Sequence, residues 1–266
     1  MKRVLTAAVL LPLFALAVLA PEPAWFAALA AAAALLALRE YFGIAEASGL
    51  SPFKALGAVW TLGLLAAAFR PDLVPASWVS GLVLLGAGGQ AVLSGTAPAD
   101  LLRGVAATAF GALYLGFLPG FLLALKGLDG RRGSGYVLLV CTAVWAGDTL
   151  AFYGGRLLGR HALAPRLSPG KTWEGALIGA AGSFAAAGLA SATYLPEVAW
   201  PHALALGALV SVAGPFGDLF ESALKRGAGI KDSSSLLPGH GGVLDRIDSL
   251  LFAAPAVFLY QQVVLP

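Results

Sequence analysis

Long apolar blocks run through this chain, separated by short clusters of charge, proline and glycine. The blocks fall at residues 4–20, 24–38, 55–69, 78–93 and 101–125, then 136–155, 174–194, 201–221 and 249–264. A helix that crosses the hydrocarbon core of a bilayer needs about 20 mostly apolar residues, so the pattern predicts an all-α, polytopic membrane protein of about nine transmembrane helices. Pro21 to Pro23, Ser51-Pro52, Arg70-Pro71 and Pro196 punctuate the connections, where the backbone leaves a helix without losing needed hydrogen bonds. The basic start at Lys2-Arg3 and the apolar run up to Ala20 resemble a secretory leader. The run is long for one and further spans follow at once, so it is expected to stay as a first helix.

Composition sharpens this picture. Of 266 residues, 59% are hydrophobic and 12% charged, with a mean hydropathy of +0.83, far from the soluble average. The expectation is one integral-membrane catalytic domain over 1–266, with apolar spans over 1–125 and catalytic helices and loops over 136–266. The single cysteine, Cys141, lies in an apolar run and excludes an internal disulfide and a cysteine-based metal cluster. The net charge of +3 points to cytoplasmic loops and not to nucleic acid. With the N-terminus cytoplasmic, nine spans place 13 of the 17 basic residues inside and leave Arg70, Lys126, Arg131 and Arg132 outside. The two most polar connections, 156–173 and 222–248, then share the cytoplasmic face. Small-residue spacings such as Gly116 to Gly120 and Gly175 to Gly179 allow close helix approach, though in so glycine-rich a chain chance alone produces them.

Charges inside the apolar runs bring in chemistry. A carboxylate at the centre of a bilayer costs roughly 2.5–3.5 kcal/mol on insertion scales, so Asp148 in the sixth run and Asp218 in the eighth each call for a partner or a water-filled cavity. If the eighth helix continues past Ser222, then Asp218, Ser222 and Lys225 follow one face. Asp245 and Asp248, three apart before the last span, share another, where they could equally complement a helix dipole.

The densest polar stretch is SALKRGAGIKDSSSLLPGHGGVLDRID, residues 222–248. Carboxylates alone suit hard cations such as magnesium, which is commonly held by one or two carboxylates together with substrate phosphates. Asp218 and Asp245 are natural ligands of that kind. Lys225, Arg226, Lys231 and Arg246 can neutralise phosphate oxygens, and Gly239, Gly241 and Gly242 let backbone amides approach them. Ser168 to Thr172, with Lys171, offers a second set of phosphate donors, in a connection that also carries Arg156. Together these residues point to phosphoryl or nucleotidyl transfer with a metal.

Other motifs fail. A Walker A loop ending at Gly170-Lys171-Thr172 needs glycine at 165, where the chain has Pro165. His161, His202 and His240 lack zinc-ligand spacing, there is no G-x-S-x-G elbow, and a dinucleotide fingerprint at 239 is broken by Leu244.

The polar stretch resembles the signature of the phosphatidate cytidylyltransferases, the CDP-diacylglycerol synthases. The residues that carry the resemblance are Ser222, Lys225-Arg226, Lys231-Asp232, Pro238, His240-Gly241-Gly242, Asp245-Arg246 and Asp248, at the family's spacing throughout. Upstream, Asp148, Tyr153, Gly155-Arg156, Ser168-Pro169, Lys171-Thr172 and Trp173-Glu174-Gly175 are similar to secondary family motifs. Gly170 departs from the lysine of many relatives.

The resemblance implies an enzyme of the cytoplasmic membrane, with its site facing the cytoplasm, that uses CTP, phosphatidic acid and Mg2+ to make CDP-diacylglycerol and pyrophosphate. It implies Asp218 and Asp245 as metal ligands, Asp248 as their support or a weaker third ligand, and Asp232 within the catalytic set. Lys225, Arg226, Lys231 and Arg246 would meet the triphosphate or lipid phosphate, and His240 would hydrogen-bond a phosphate. Ser168, Lys171, Thr172, Arg156, Ser222, Gly241 and Gly242 would line the substrate site, and Asp148 the cavity or a basic partner. A homodimer is also suggested. The alternatives are a CTP-dependent kinase or cytidylyltransferase acting on a polyprenol-type lipid, or a transporter. A transporter is disfavoured because the charges gather at one face and no internal repeat is found. A CDP-alcohol phosphotransferase lacks its aspartate cluster, since Asp129-Gly130 leads into Arg131-Arg132.

Overall fold

The computed structural model describes residues 2–93, 97–128, 131–234, 236 and 241–265. Asp129, Gly130, Pro238, Gly239 and His240 lie outside the described residues. Each of the nine apolar blocks falls within a helical segment or overhangs its end by no more than two residues. These are α1 (Lys2–Leu19), α2 (Ala24–Ala47), α3 (Lys54–Phe69), α4 (Ala76–Leu93) and α5 (Pro98–Ala112), which a π-turn over Leu113–Phe117 joins to α6 (Leu118–Lys126). Then come α7 (Arg131–Leu158), α8 (Trp173–Ala192), α9 (Trp200–Gly227) and α10 (Leu244–Val264).

Among the described residues six segments are long and apolar enough to cross a membrane: α2, Asp100–Lys126, α7, α8, α9 and α10. The 16 residues of α3 reach only about 24 Å at 1.5 Å per residue, short of the roughly 30 Å hydrocarbon core. Three helices also run further than hydropathy alone indicates. α2 continues to Ala47 and so carries Arg39 and Glu40, α7 continues through Arg156, and α9 continues to Gly227. The last of these meets the condition for Asp218, Ser222 and Lys225 to follow one helical face.

One departure from an all-helical chain is a small antiparallel hairpin between α7 and α8. Its strands are β1 (Ala162–Ala164) and β2 (Ser168–Thr172), with Ala162 opposite Thr172 and Ala164 opposite Ser168. Its sequence, ALAPRLSPGKT, lacks the apolar alternation that marks a strand, so only the structure reveals it.

The chain separates into two compact units. Unit one holds Met1–Ala124 with Leu224–Arg246, and unit two holds Leu125–Ala223 with Ile247–Pro266. In unit one, Trp60, Leu64, Val83 and Ala112 form a buried cluster. Around it, Thr108 Oγ1 accepts from Phe53 N at 2.8 Å and donates to Gly104 O at 2.7 Å, and Tyr41 OH donates to Ala107 O at 3.1 Å. Gly116, in the π-turn, lies where a Cβ would come 2.9 Å from the Thr61 backbone, so α3 and the turn pack main chain against main chain.

In unit two, α7 and α8 form the most extensive helix pair. Here a spacing that composition made unremarkable does bring helices together. A Cβ on Gly175, Gly179 or Gly182 would stand 2.8 Å from the carbonyls of Ala151, Gly147 and Ala146 respectively. Ser183 Oγ donates to Ala143 O at 2.9 Å across the same seam. α9 meets α10 through His202 Nδ1 and Tyr260 OH, 2.9 Å apart, and through Gly217, which packs directly on the Asp248 carbonyl.

Candidate active site

In unit two the hairpin delivers Lys171. Thr172 caps α8 by accepting from Gly175 N at 3.1 Å, and Trp173 N donates to His161 O at 2.9 Å. Glu174, in the first turn of α8, accepts from the amides of Arg160 and His161 at 3.0 and 3.2 Å and pairs with His161 Nδ1 at 2.5 Å. The helix start and its hairpin are therefore joined by five contacts. From this platform Lys171 Nζ reaches Asp218 Oδ2 on α9 at 2.6 Å. Ser222 Oγ, one turn on, lies 3.4 Å from Asp218 Oδ1, a weak bond at that length. Asp248, buried in α10, lies within the electrostatic reach of Asp218, Asp148 and Lys171. Three helices and a strand thus bring Asp148, Asp218, Asp248 and Lys171 into one neighbourhood. Asp148 also lines a small cavity of about 30 Å³ with Gly147, Gly179, Ser183, Ser211 and Gly214.

Unit one builds a second centre from the signature stretch. Lys225 Nζ lies 2.5 Å from Asp245 Oδ1, and Asp245 Oδ2 accepts from Gly242 N at 2.8 Å and Ser233 Oγ at 2.9 Å. Asp245 sits in the first turn of α10, where the helix dipole favours a carboxylate. Gly241 has φ of 78°, the left-handed region that glycine enters without a steric penalty. At Gly242 a Cβ would run into the Ser233 hydroxyl and the Glu40 carboxylate and displace them. The two glycines are thus a geometric requirement of the turn that aims Gly242 N at Asp245.

The profile of the cytidylyltransferase family matches residues 1–264. The chain belongs to the cytidylyltransferase family. It is similar to the phosphatidate cytidylyltransferase of Synechocystis sp., with 34% identity over 272 residues, 91% of this chain and 90% of the relative. The enzyme of the same name from Brucella abortus is 43% identical over 152 residues, 57% of this chain and 56% of the relative. That of Bacillus subtilis is 38% identical over 149 residues, 56% of this chain and 54% of the relative.

For this family member the remaining expected site residues divide in two. Ser168 and Thr172 lie half-buried on β2, with Thr172 Oγ1 occupied as a helix cap. Arg156, Arg226, Lys231, Asp232 and Arg246 are exposed, and Arg226 donates to Ile230 O at 3.2 Å. His240 lies outside the described residues. Carboxylate oxygens, the donors magnesium prefers, are present at Asp218 and Asp245. Among the described residues no group of three or more His, Cys, Asp and Glu is placed to hold a metal ion. Each carboxylate, taken singly, fits an ion that keeps water and shares substrate phosphates, and does not fit a closed protein cage.

Sequence reasoning missed Glu40, Ser233, Ser234 and the anchoring role of Glu174. Glu40 follows Arg39 just past the apolar block that ends at Leu38, so it looked like part of a connection. The available signal was a carboxylate with no break residue before Tyr41 and Phe42, which continues the helix.

Proposed function

We propose that the protein is a phosphatidate cytidylyltransferase, which joins CTP and phosphatidic acid to give CDP-diacylglycerol and pyrophosphate. A phosphate oxygen of the lipid attacks the α-phosphorus of CTP, the new P–O bond forms, and the bond from that phosphorus to the β-phosphate bridging oxygen breaks. Both reactants are anions, so catalysis rests on holding them together and neutralising charge. The observation that carries this reading is the pair of lysine–aspartate centres, Lys171–Asp218 and Lys225–Asp245, in a chain of the cytidylyltransferase family.

In this reading Lys171 turns from its aspartate toward phosphate oxygens when substrate arrives, Lys225 meets phosphate from its fixed place beside Asp245, and exposed Arg226, Lys231 and Arg246 hold the triphosphate or lipid phosphate. Arg156 and Ser168 add donors, Gly241 and Gly242 keep the turn open to phosphate, and His240 hydrogen-bonds it. Asp218 and Asp245 are the magnesium-binding carboxylates, with Asp248 supporting them. When bound, the metal supplies charge neutralisation for the attacking and leaving phosphate groups. We also propose nine spans, a site facing the cytoplasm across the cytoplasmic membrane, and a homodimer.

The test uses purified protein with phosphatidic acid, Mg2+ and CTP labelled at either the α- or the γ-phosphate. Label from the α-position in lipid, with release of pyrophosphate, is expected. Label from the γ-position would mark a kinase, and no lipid label from folded protein would falsify the reading.

A further inference from the structure

A residue far away in sequence ties down both described ends of the signature's central turn. Glu40, in α2, is 5% exposed. Its Oε1 accepts from Ser234 Oγ at 2.6 Å and Val243 N at 3.0 Å. Its Oε2 accepts from Leu244 N at 2.8 Å and lies 3.1 Å from Ser233 Oγ. A carboxylate has about four acceptor sites, and here four donors meet them. Two of those donors are amides at the start of α10, which lack partners within the helix. The other two precede the glycines.

The Ser233 hydroxyl stands between two carboxylates, 3.1 Å from Glu40 and 2.9 Å from Asp245, so its one proton is shared by both. Gly242 is packed against Glu40 and donates to Asp245. Neighbouring Tyr41 is anchored to Ala107 O on α5, which fixes this turn of α2. A chain of contacts thus runs from the unit-one core through Glu40 to Asp245 and on to Lys225.

We propose that Glu40 is a positioning residue for cytidylyl transfer. It holds Ser233, Ser234 and the Val243 and Leu244 amides so that Asp245 and Lys225 keep one orientation toward substrate. The role requires a carboxylate. Glutamine has nearly the same shape, but its amide group would turn N–H donors toward two of the four donors that Glu40 accepts. This inference rests on the reaction proposed above.

The test measures kcat and KM for CTP and phosphatidic acid with α-labelled CTP, on detergent-purified protein whose fold is checked by size exclusion. Glu40→Gln is expected to lower kcat about 30-fold, with KM for CTP within about threefold, the signature of lost transition-state geometry. Ser233→Ala is expected to lower kcat about tenfold by itself and to add little in the Glu40→Gln background, because both act through Asp245. Independent structural damage would instead multiply the two effects. Wild-type kcat in Glu40→Gln, or full multiplication in the double variant, overturns the proposal. If Glu40→Gln does not fold, Ser233→Ala and Ser234→Ala carry the test, and normal turnover in both overturns it. Wild-type protein that puts no label into lipid sinks the reaction itself and this role with it, an outcome distinct from an active wild type with an equally active variant.

Discussion

The Lys225 and Asp245 side chains are 11% and 13% exposed, whereas those of Lys171 and Asp218 are 25% and 33% exposed. Asp245 is further gripped by Gly242 N and shares the Ser233 proton with Glu40. Asp218, within unit two, pairs with Lys171 and takes a long contact from Ser222. The same two residue types therefore form a fixed centre in one unit and a looser one in the other. Burial decides the difference, because a desolvated ion pair depends on complete hydrogen bonding whereas a solvated one trades partners at little cost. A lysine that must exchange a carboxylate for a substrate phosphate is better served by the looser arrangement.

Five substitutions would sharpen or break this contrast. Asp245→Asn should do the most harm, because it takes the carboxylate from the Lys225 ammonium, which is 11% exposed. About 3 kcal/mol of stability and about a thousandfold in kcat are expected to go, read from thermal unfolding in detergent and from lipid labelling. Asp218→Asn in parallel should cost about a hundredfold in kcat with a small stability change. Equal stability losses in the two variants would erase the distinction between the centres. Lys171→Ala should raise KM for CTP about tenfold while kcat holds. A matched fall in kcat and kcat/KM would place Lys171 in the transition state instead. Glu174→Gln, which weakens the ties to Arg160 and His161, should lower kcat/KM about fivefold and loosen the hairpin, visible as faster proteolysis near Arg166. Ser222→Ala should change kcat by less than about twofold, given the 3.4 Å contact to Asp218.

Much of this was legible in the sequence. Apolar block length located every helical segment, because hydrocarbon burial dominates the energetics of such a chain, and charge inside those blocks singled out Asp148 and Asp218. Lys225, Gly242 and Asp245 were legible from residue type and density, and the structure joins them. Helix ends were less so. α2 runs past Leu38 because a buried Glu40 with four donors no longer behaves as a polar residue seeking water. Pairing was least legible of all. Nothing in composition says that Glu40 meets Leu244, 204 positions away, or that the strand-poor segment 162–172 forms a hairpin under Glu174.

The glycine seam between α7 and α8 carries one more consequence. A junction in which even a methyl group would collide with Ala151, Gly147 and Ala146 carbonyls is also closed to a methylene chain. Neither a lipid tail nor a detergent tail can wedge into it, so the two helices should leave the bilayer as one piece. On solubilisation the hairpin that bears Lys171 travels with them, attached at both ends to a rod that hydrocarbon solvents do not split.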